Sequence, residues 1–295
     1  MRKTNRMECQ GVNPLLLILF AGFFHTVTAQ VRTLDMASNA VDDTFSNCRD
    51  KMLQAVTGGL LQQELDARQD FKDMWIPDGT CKKQINGATK YHLTALHAYG
   101  NSKLKFQKTF NDMVYSRGTN YTTYKDEFPF KSLHFLLTDA LKILNHGKRC
   151  YTVYYGTGNK YTVETGKKVR FGRFFKSKTD DSNEIEEAGL KGEGTLFNIT
   201  SCSVVNVENY TCTSEEIEQL ISPDEVFTVQ SAELTSKDDL DFKLITLTHS
   251  HFLSHHDCYY FSRSPAESSN LPVLVLALMV SYLSFYYGSV THDSV

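Results

Sequence analysis

Apolar positions recur at helical spacing over the first half of the chain and at strand spacing over the second. Asp42 or Asp43 is placed to cap a helix running through Cys48, Met52 and Val56, with Gly58-Gly59 at its end. Leu61, Leu65, Met74 and Trp75 predict a second helix, stopped by Pro77-Asp78-Gly79. Tyr91, Leu93, Leu96 and Tyr99 predict a third, and Leu104, Phe110, Met113 and Val114 a fourth that ends before Arg117-Gly118. The clearest periodicity follows Pro129: Leu133, Leu136, Leu137, Leu141 and Leu144 fall on one face of a helix over 131–145, which is expected to lie in the core.

After Gly147 the texture changes to short runs rich in Val, Tyr, Phe and Thr, bounded by Gly, Asn and Asp. Strands are expected over 150–155, 168–175, 195–201, 225–231, 242–248 and 257–261, and polar loops over 176–193 and 203–214. Helices followed by strands argue for an α+β fold. The second loop leads into Ser214-Glu215-Glu216-Ile217-Glu218-Gln219-Leu220-Ile221-Ser222-Pro223-Asp224-Glu225-Val226-Phe227, so a run of carboxylates stands where a loop enters a strand.

Residues 1–29 have basic Arg2, Lys3 and Arg6, an apolar run from Leu15 to Phe24 and small residues before Gln30, the layout of a secretory signal. Leu271 to Tyr287 is almost wholly apolar behind a polar, small-residue spacer, so 262–295 is expected to be a spacer and lipid-anchor signal. A single membrane span is the rival, but the run is short for one and no Lys or Arg follows it. The expected place is the cell surface through a glycosylphosphatidylinositol anchor, with a single-pass or secreted form as alternatives.

Without Cys9 six cysteines remain, Cys48, Cys81, Cys150, Cys202, Cys212 and Cys258, and an even number in an exported chain argues for disulfides. Asn120, Asn198 and Asn209 head sequons. The net charge of −3 gives no reason to expect nucleic acid.

Glu216 and Glu218 leave the same face of an extended backbone and can converge on one ligand, one carboxylate ionised beside a developing positive charge and the other orienting a nucleophile. The bland alternative is a solvated acidic loop. The run His249-Ser250-His251-Phe252-Leu253-Ser254-His255-His256 lacks carboxylate or cysteine partners at a ligand spacing, so no metal is expected. His134 and Trp75 are expected to pack, and no Ser, His and Asp set forms a hydrolase elbow.

Five segments together resemble the vertebrate arginine-specific ecto-mono-ADP-ribosyltransferases. They are Val41 to Cys48, Phe128 to Thr138, Cys150 to Gly156, Val169 to Phe174 and Glu216 to Phe227, in the family's order and across nearly the whole mature chain. The resemblance implies a helical lobe over 30–147 packed on a two-sheet, NAD-binding lobe over 148–261. It implies disulfides Cys48–Cys258 and Cys150–Cys202, with Cys81 and Cys212 as an extra pair. It also implies NAD, or NADP, as substrate without a metal, and arginine-bearing extracellular proteins as acceptors.

The family joins an Arg, a Ser and a Glu from three strands. By resemblance Glu218 would stabilise the charge on the ribose and Glu216 would activate the guanidinium. Tyr155, Gly156, Arg170, Phe174, Lys176 and Ser177 would face the dinucleotide. The chain departs from the pattern at two points. Tyr155 stands at the arginine position, and the serine-rich triplet is Lys176-Ser177-Lys178. A tyrosine hydroxyl does not replace the two charge-assisted bonds of a guanidinium fork; Lys176 or Lys178 would restore only a point charge. Three readings stand at this stage: a transferase, a binding module of the same fold without catalysis, and an NAD glycohydrolase.

Overall fold

The computed structural model describes residues 31–76, 84–145, 149–190, 192, 194–211 and 218–262. The expected signal, the anchor segment, Cys81, Cys212 and Glu216 lie outside them, as does most of the acidic run before Glu218.

The helices come first, after a short strand β1 (Val31–Thr33). α1 (Arg49–Ala55) passes through a π-helical turn, Val56–Leu60, into α2 (Leu61–Ala67). Gly58-Gly59 therefore kinks the helix instead of ending it, with Gly59 at φ 140° as the joint. α3 (Gln69–Met74), α4 (Lys90–Gly100), α5 (Leu104–Ser116) and α6 (Lys131–Leu144) follow. α6 is buried on all sides over most of its length, including the polar Ser132, His134, Thr138 and Asp139. Its N-terminus has a donated cap: the Glu64 carboxylate accepts from Lys131 N at 2.8 Å and Ser132 N at 2.9 Å. Asp139 on α6 ties in two other helices, accepting from Arg49 Nε and bonding His92 Nε2, each at 2.8 Å.

Neither Asp42 nor Asp43 caps α1. Asp43 accepts from the backbone N–H groups of Phe45, Cys258 and Tyr259, which pins the end of the described chain to its beginning. The Cys48–Cys258 disulfide closes the same junction across 210 residues. The residues expected as a last strand form a 3₁₀ turn there, Tyr259–Phe261.

Most of the strands build two larger sheets. β2 (Tyr151–Thr157), β4 (Lys168–Arg170), β6 (Thr195–Ser201), β9 (Glu225–Lys237) and β10 (Leu240–Phe252) form one in the order β2-β6-β10-β9-β4. β5 (Phe175–Ser177), β7 (Val205–Asn206) and β8 (Gln219–Ile221) form the other in the order β5-β8-β7, while β3 (Lys160–Thr162) pairs with β1. Val153, Phe171, Phe175, Phe197, Ile199, Ile221, Phe227 and Ile245 fill a common core drawn from both sheets. The single strand expected over 168–175 is two strands in different sheets. Gly172 makes the corner at φ 61°, and a Cβ there would come within 2.4 Å of the Ala37 side chain. Two expected loops also hold structure: α7 (Ser182–Gly189) in the first, and β7 with α8 (Glu208–Thr211) in the second. The Cys150–Cys202 disulfide joins the start of β2 to the end of β6.

Among the described residues no helix is long and apolar enough to cross a membrane.

Candidate active site

Two backbone pairings decide which side chains meet. Tyr154 N donates to Lys178 O at 2.8 Å and Lys178 N returns a bond to Tyr154 O at 2.9 Å, which joins β2 to the chain leaving β5. β5 pairs antiparallel with β8, Ser177 opposite Gln219 and Lys176 opposite Leu220. Tyr155, Lys176 and Glu218, spread over more than sixty residues of sequence, therefore stand on three neighbouring segments where the sheets meet.

Glu218 comes immediately before β8 and is partly exposed. Its backbone carbonyl accepts from Val207 N at 2.9 Å, which fixes the chain. Its carboxylate Oε1 accepts from Thr179 N at 3.3 Å, from Thr179 Oγ1, and from Gln219 Nε2 at 3.4 Å. Among the described residues no hydrogen bond is made to Oε2. Among the described residues the carboxylate is thus held by one oxygen.

Alternation along β5 separates the triplet. Phe175 and Ser177 face the interior and are buried, whereas Lys176 and Lys178 are partly exposed on the other side. The retained Ser177 hydroxyl points inward, where its Oγ is buried without a hydrogen-bond partner among the described residues, so it is not on the face that Lys176 presents. Tyr155 packs edge-on against Phe175 with ring centroids 4.5 Å apart and lies 6.3 Å from Phe197. Burial holds its hydroxyl above the ordinary tyrosine range.

Tyr155 and Lys176 line one cavity of about 210 Å³ with Arg32, Lys108, Asn111, Tyr161 and Arg173. Lys108 is neutralised by Asp112, and Arg173 Nη2 donates to Tyr161 Oη at 3.2 Å. The wall is cationic, which suits a phosphate-bearing ligand. A cavity of about 760 Å³ between β1, β3 and the β9–β10 hairpin includes neither Tyr155, Lys176 nor Glu218.

Of three further expected dinucleotide contacts, Arg170 and Gly156 are engaged elsewhere and Phe174 lines the cavity that holds Tyr155 and Lys176. Arg170 is wholly buried. Its guanidinium is spent on Asp42 Oδ2 (2.6 Å), Ala37 O (2.7 Å), Met36 O (3.0 Å) and Leu253 O (3.3 Å), which leaves it a structural residue. Phe174 lines that cavity while its ring stacks on Phe110 at 5.7 Å and meets His134 edge-on at 5.6 Å. Gly156 N–H donates to Glu184 Oε2 of α7 at 2.6 Å. A Cβ on Gly156 would stand 1.8 Å from Glu184 O, so glycine is what lets α7 dock there. Burial raises the Glu184 carboxyl above its ordinary range, against the opposing pull of Lys178 and Lys176.

The histidines have partners that the sequence spacing concealed. His249 Nδ1 meets Glu225 Oε1 and His255 Nδ1 meets Asp42 Oδ2, each at 2.7 Å. Cys202, Glu225 and His249 cluster closely, but the Cys202 sulfur is in a disulfide, and Glu225 also accepts from Ser201, Ser203 and Cys202 N. Thr179, Arg173 and Glu184 were not singled out from the sequence. Thr179 and Glu184 sit in a stretch of polar-loop composition, and no spacing marks Arg173. Of the sequon asparagines, Asn120 and Asn209 are exposed and Asn198 is half-buried in the middle of β6.

Comparison with known proteins agrees with this architecture. A family model described as NAD:arginine ADP-ribosyltransferase matches residues 34–248. T-cell ecto-ADP-ribosyltransferase 2 of Mus musculus is 29% identical over 262 residues, covering 86% of this chain and 85% of that protein. NAD(P)(+)–arginine ADP-ribosyltransferase 1 of Gallus gallus is 31% identical over 205 residues, covering 66% of this chain and 64% of that protein. The crystal structure of the eucaryotic mono-ADP-ribosyltransferase ART2.2 superposes with a TM-score of 0.62 at 27% identity, over 77% of this chain and 99% of that one. A glutamate-to-alanine variant of that enzyme in complex with NADH superposes at 0.61, with 26% identity and the same coverage. With the match spanning most of its length and the two-sheet core in common, this chain belongs to the NAD:arginine ADP-ribosyltransferase family.

Proposed function

We infer that the protein is an extracellular mono-ADP-ribosyltransferase that moves ADP-ribose from NAD to arginine side chains of proteins. The observation that carries this reading is the placement of Glu218, its carboxylate Oε1 held by Thr179 and Gln219, at the entry to β8, the strand paired with the β5 strand that carries Lys176.

The chemistry follows from charge. Breaking the nicotinamide–ribose bond develops oxocarbenium-like positive charge on the ribose, which a fixed carboxylate stabilises more in the transition state than in the ground state. Glu218 takes that role. The acceptor guanidinium is protonated in water and needs a carboxylate to orient it and take its proton. Glu216, two residues before Glu218 in the sequence, takes that one. Arg173 and Lys176 bind the diphosphate, a duty that Tyr155 cannot perform by charge. The exported chain is held at the outer cell surface by a lipid anchor.

A second reading has a specific observation behind it. The Tyr155 ring is packed among Phe175 and Phe197, so the β2 position of the family's arginine has been rebuilt as an aromatic contact. A binding module without catalysis would look the same there.

Purified protein incubated with labelled NAD and an arginine polymer, beside Glu218→Ala, separates the readings. Label transferred by the wild type and lost in the variant supports the transferase. Free ADP-ribose without transfer indicates a glycohydrolase. No turnover, with activity gained in Tyr155→Arg combined with Lys176→Ser, indicates the binding module.

A further inference from the structure

We propose that Thr179 is the positioning residue for the Glu218 carboxylate and supplies the hydroxyl that the altered triplet Lys176-Ser177-Lys178 no longer offers on the cleft side. This rests on the reading of Glu218 as the carboxylate that faces the ribose.

The argument starts from strand alternation. Only one hydroxyl survives in the triplet, that of Ser177, and the pleat of β5 turns it into the interior with Phe175. Lys176 and Lys178 occupy the alternate face with ammonium groups, which are mobile donors on long stems. Past the end of β5 the strand constraint lapses, and Thr179 turns both of its donors on one atom. Its N–H lies 3.3 Å from Glu218 Oε1, and its Oγ1–H donates to the same oxygen.

Two donors from a single residue define a direction as well as a distance. The β-branched side chain of Thr179 is stiff about χ1, so it holds that direction at little entropic cost. Gln219 Nε2, at 3.4 Å, reaches the same Oε1 from the other side along the chain. All three bonds fall on Oε1, which is the arrangement needed to aim Oε2 at a substrate.

Thr179 is exposed, so water competes for these bonds in the free protein. A substrate lying across the cleft removes that competition and strengthens them. The consequence therefore belongs in turnover more than in stability. Exposure also means that Thr179→Val, which deletes the hydroxyl and keeps shape and backbone N–H, leaves folding intact.

The test measures NAD turnover by wild type, Thr179→Val and Thr179→Ser. Thr179→Val is expected to lower kcat about tenfold with KM for NAD unchanged, and Thr179→Ser to recover most of the loss. An unchanged kcat in Thr179→Val overturns the proposal, as does an equal loss in both variants, since the hydroxyl would then not be the agent. If the wild type turns over no NAD, the enzymatic reading fails by itself, and crystal structures of the three proteins decide the positioning role. A Glu218 carboxylate displaced only in Thr179→Val supports it. The same carboxylate position in all three overturns it.

Discussion

Arg170 Nη1 and Asp42 Oδ2 lie 2.6 Å apart, and neither side chain is exposed to solvent. β4 supplies the arginine and the segment before α1 supplies the acid, so the pair bolts the sheet to the N-terminal chain. His255 N and Nδ1 also bond this carboxylate, at 3.0 and 2.7 Å, which brings the C-terminal segment to the same point. Removing one partner leaves the other charge buried and unpaired. Arg170→Met is expected to lower stability by about 3–5 kcal/mol in denaturant titrations, and Arg170→Met with Asp42→Leu to recover part of that loss. Unchanged stability with weakened NAD binding would return Arg170 to the substrate site.

Arg173 and Lys176 line the cavity beside Tyr155 and carry the charge proposed to hold the diphosphate. Each of Arg173→Ala and Lys176→Ala is expected to weaken NAD binding about tenfold at low salt, with a smaller effect at high salt because the groups are partly exposed. Calorimetric titration at two ionic strengths checks this. Full affinity in either variant removes that residue from the phosphate site.

The Cys48–Cys258 bridge spans 210 residues, and the chain-entropy model assigns a loop of this size about 5 kcal/mol of stability. The paired replacement Cys48→Ser with Cys258→Ser is expected to lose up to that amount in an equilibrium unfolding curve. Asp43 still ties Cys258 N and Tyr259 N to the N-terminal segment, so the variant keeps the junction in the folded state. A curve superimposing on the wild type would show that the loop closure contributes nothing.

His134 is wholly buried in α6, with Nε2–H donating to Val41 O at 3.0 Å, and burial lowers its pKa from 6.5 to about 4. The unfolded chain binds a proton near pH 6.5 that the folded one refuses until about pH 4. Stability linked to His134 is therefore complete above pH 6.5 and lost as pH falls toward 4, by about 3 kcal/mol at most. Asp43 and Glu64, raised by burial to about 6 and about 7, act in the opposite sense over overlapping ranges. A difference measurement cancels them: relative to His134→Gln, which keeps a donor for Val41 O, the wild type is expected to lose stability between pH 6.5 and 4. Parallel pH profiles for the two proteins refute this.

Much of the fold was legible because burial writes itself as periodicity. The stripe of leucines after Pro129 became α6, and the runs around Val153, Phe197 and Ile245 became the strands of the larger sheet. Failures cluster where a single residue overrules the pattern. Gly172 breaks one apparent strand into two sheets, and Gly59 bends a helix it was expected to stop. Asp43 looked like a helix cap because sequence distance hides Cys258 and Tyr259, the groups it bonds. The same blindness made Arg170 look like a ligand for phosphate, when its partners Met36, Ala37, Asp42 and Leu253 lie far off in the chain.

The sequence by itself determined the α+β class, the acidic motif containing Glu218, and the departures at Tyr155 and Lys176, since each is a matter of residue type or local spacing. Only the tertiary structure decided which side chains share the cleft. That depends on the register of Ser177 with Gln219 and on the bridge between Tyr154 and Lys178. A one-residue slip would turn every side chain to the other face. The register sends the Ser177 hydroxyl inward and sets the partly exposed Lys176 opposite the buried Leu220. Thr179, one residue past the bridge, is left where its hydroxyl meets Glu218.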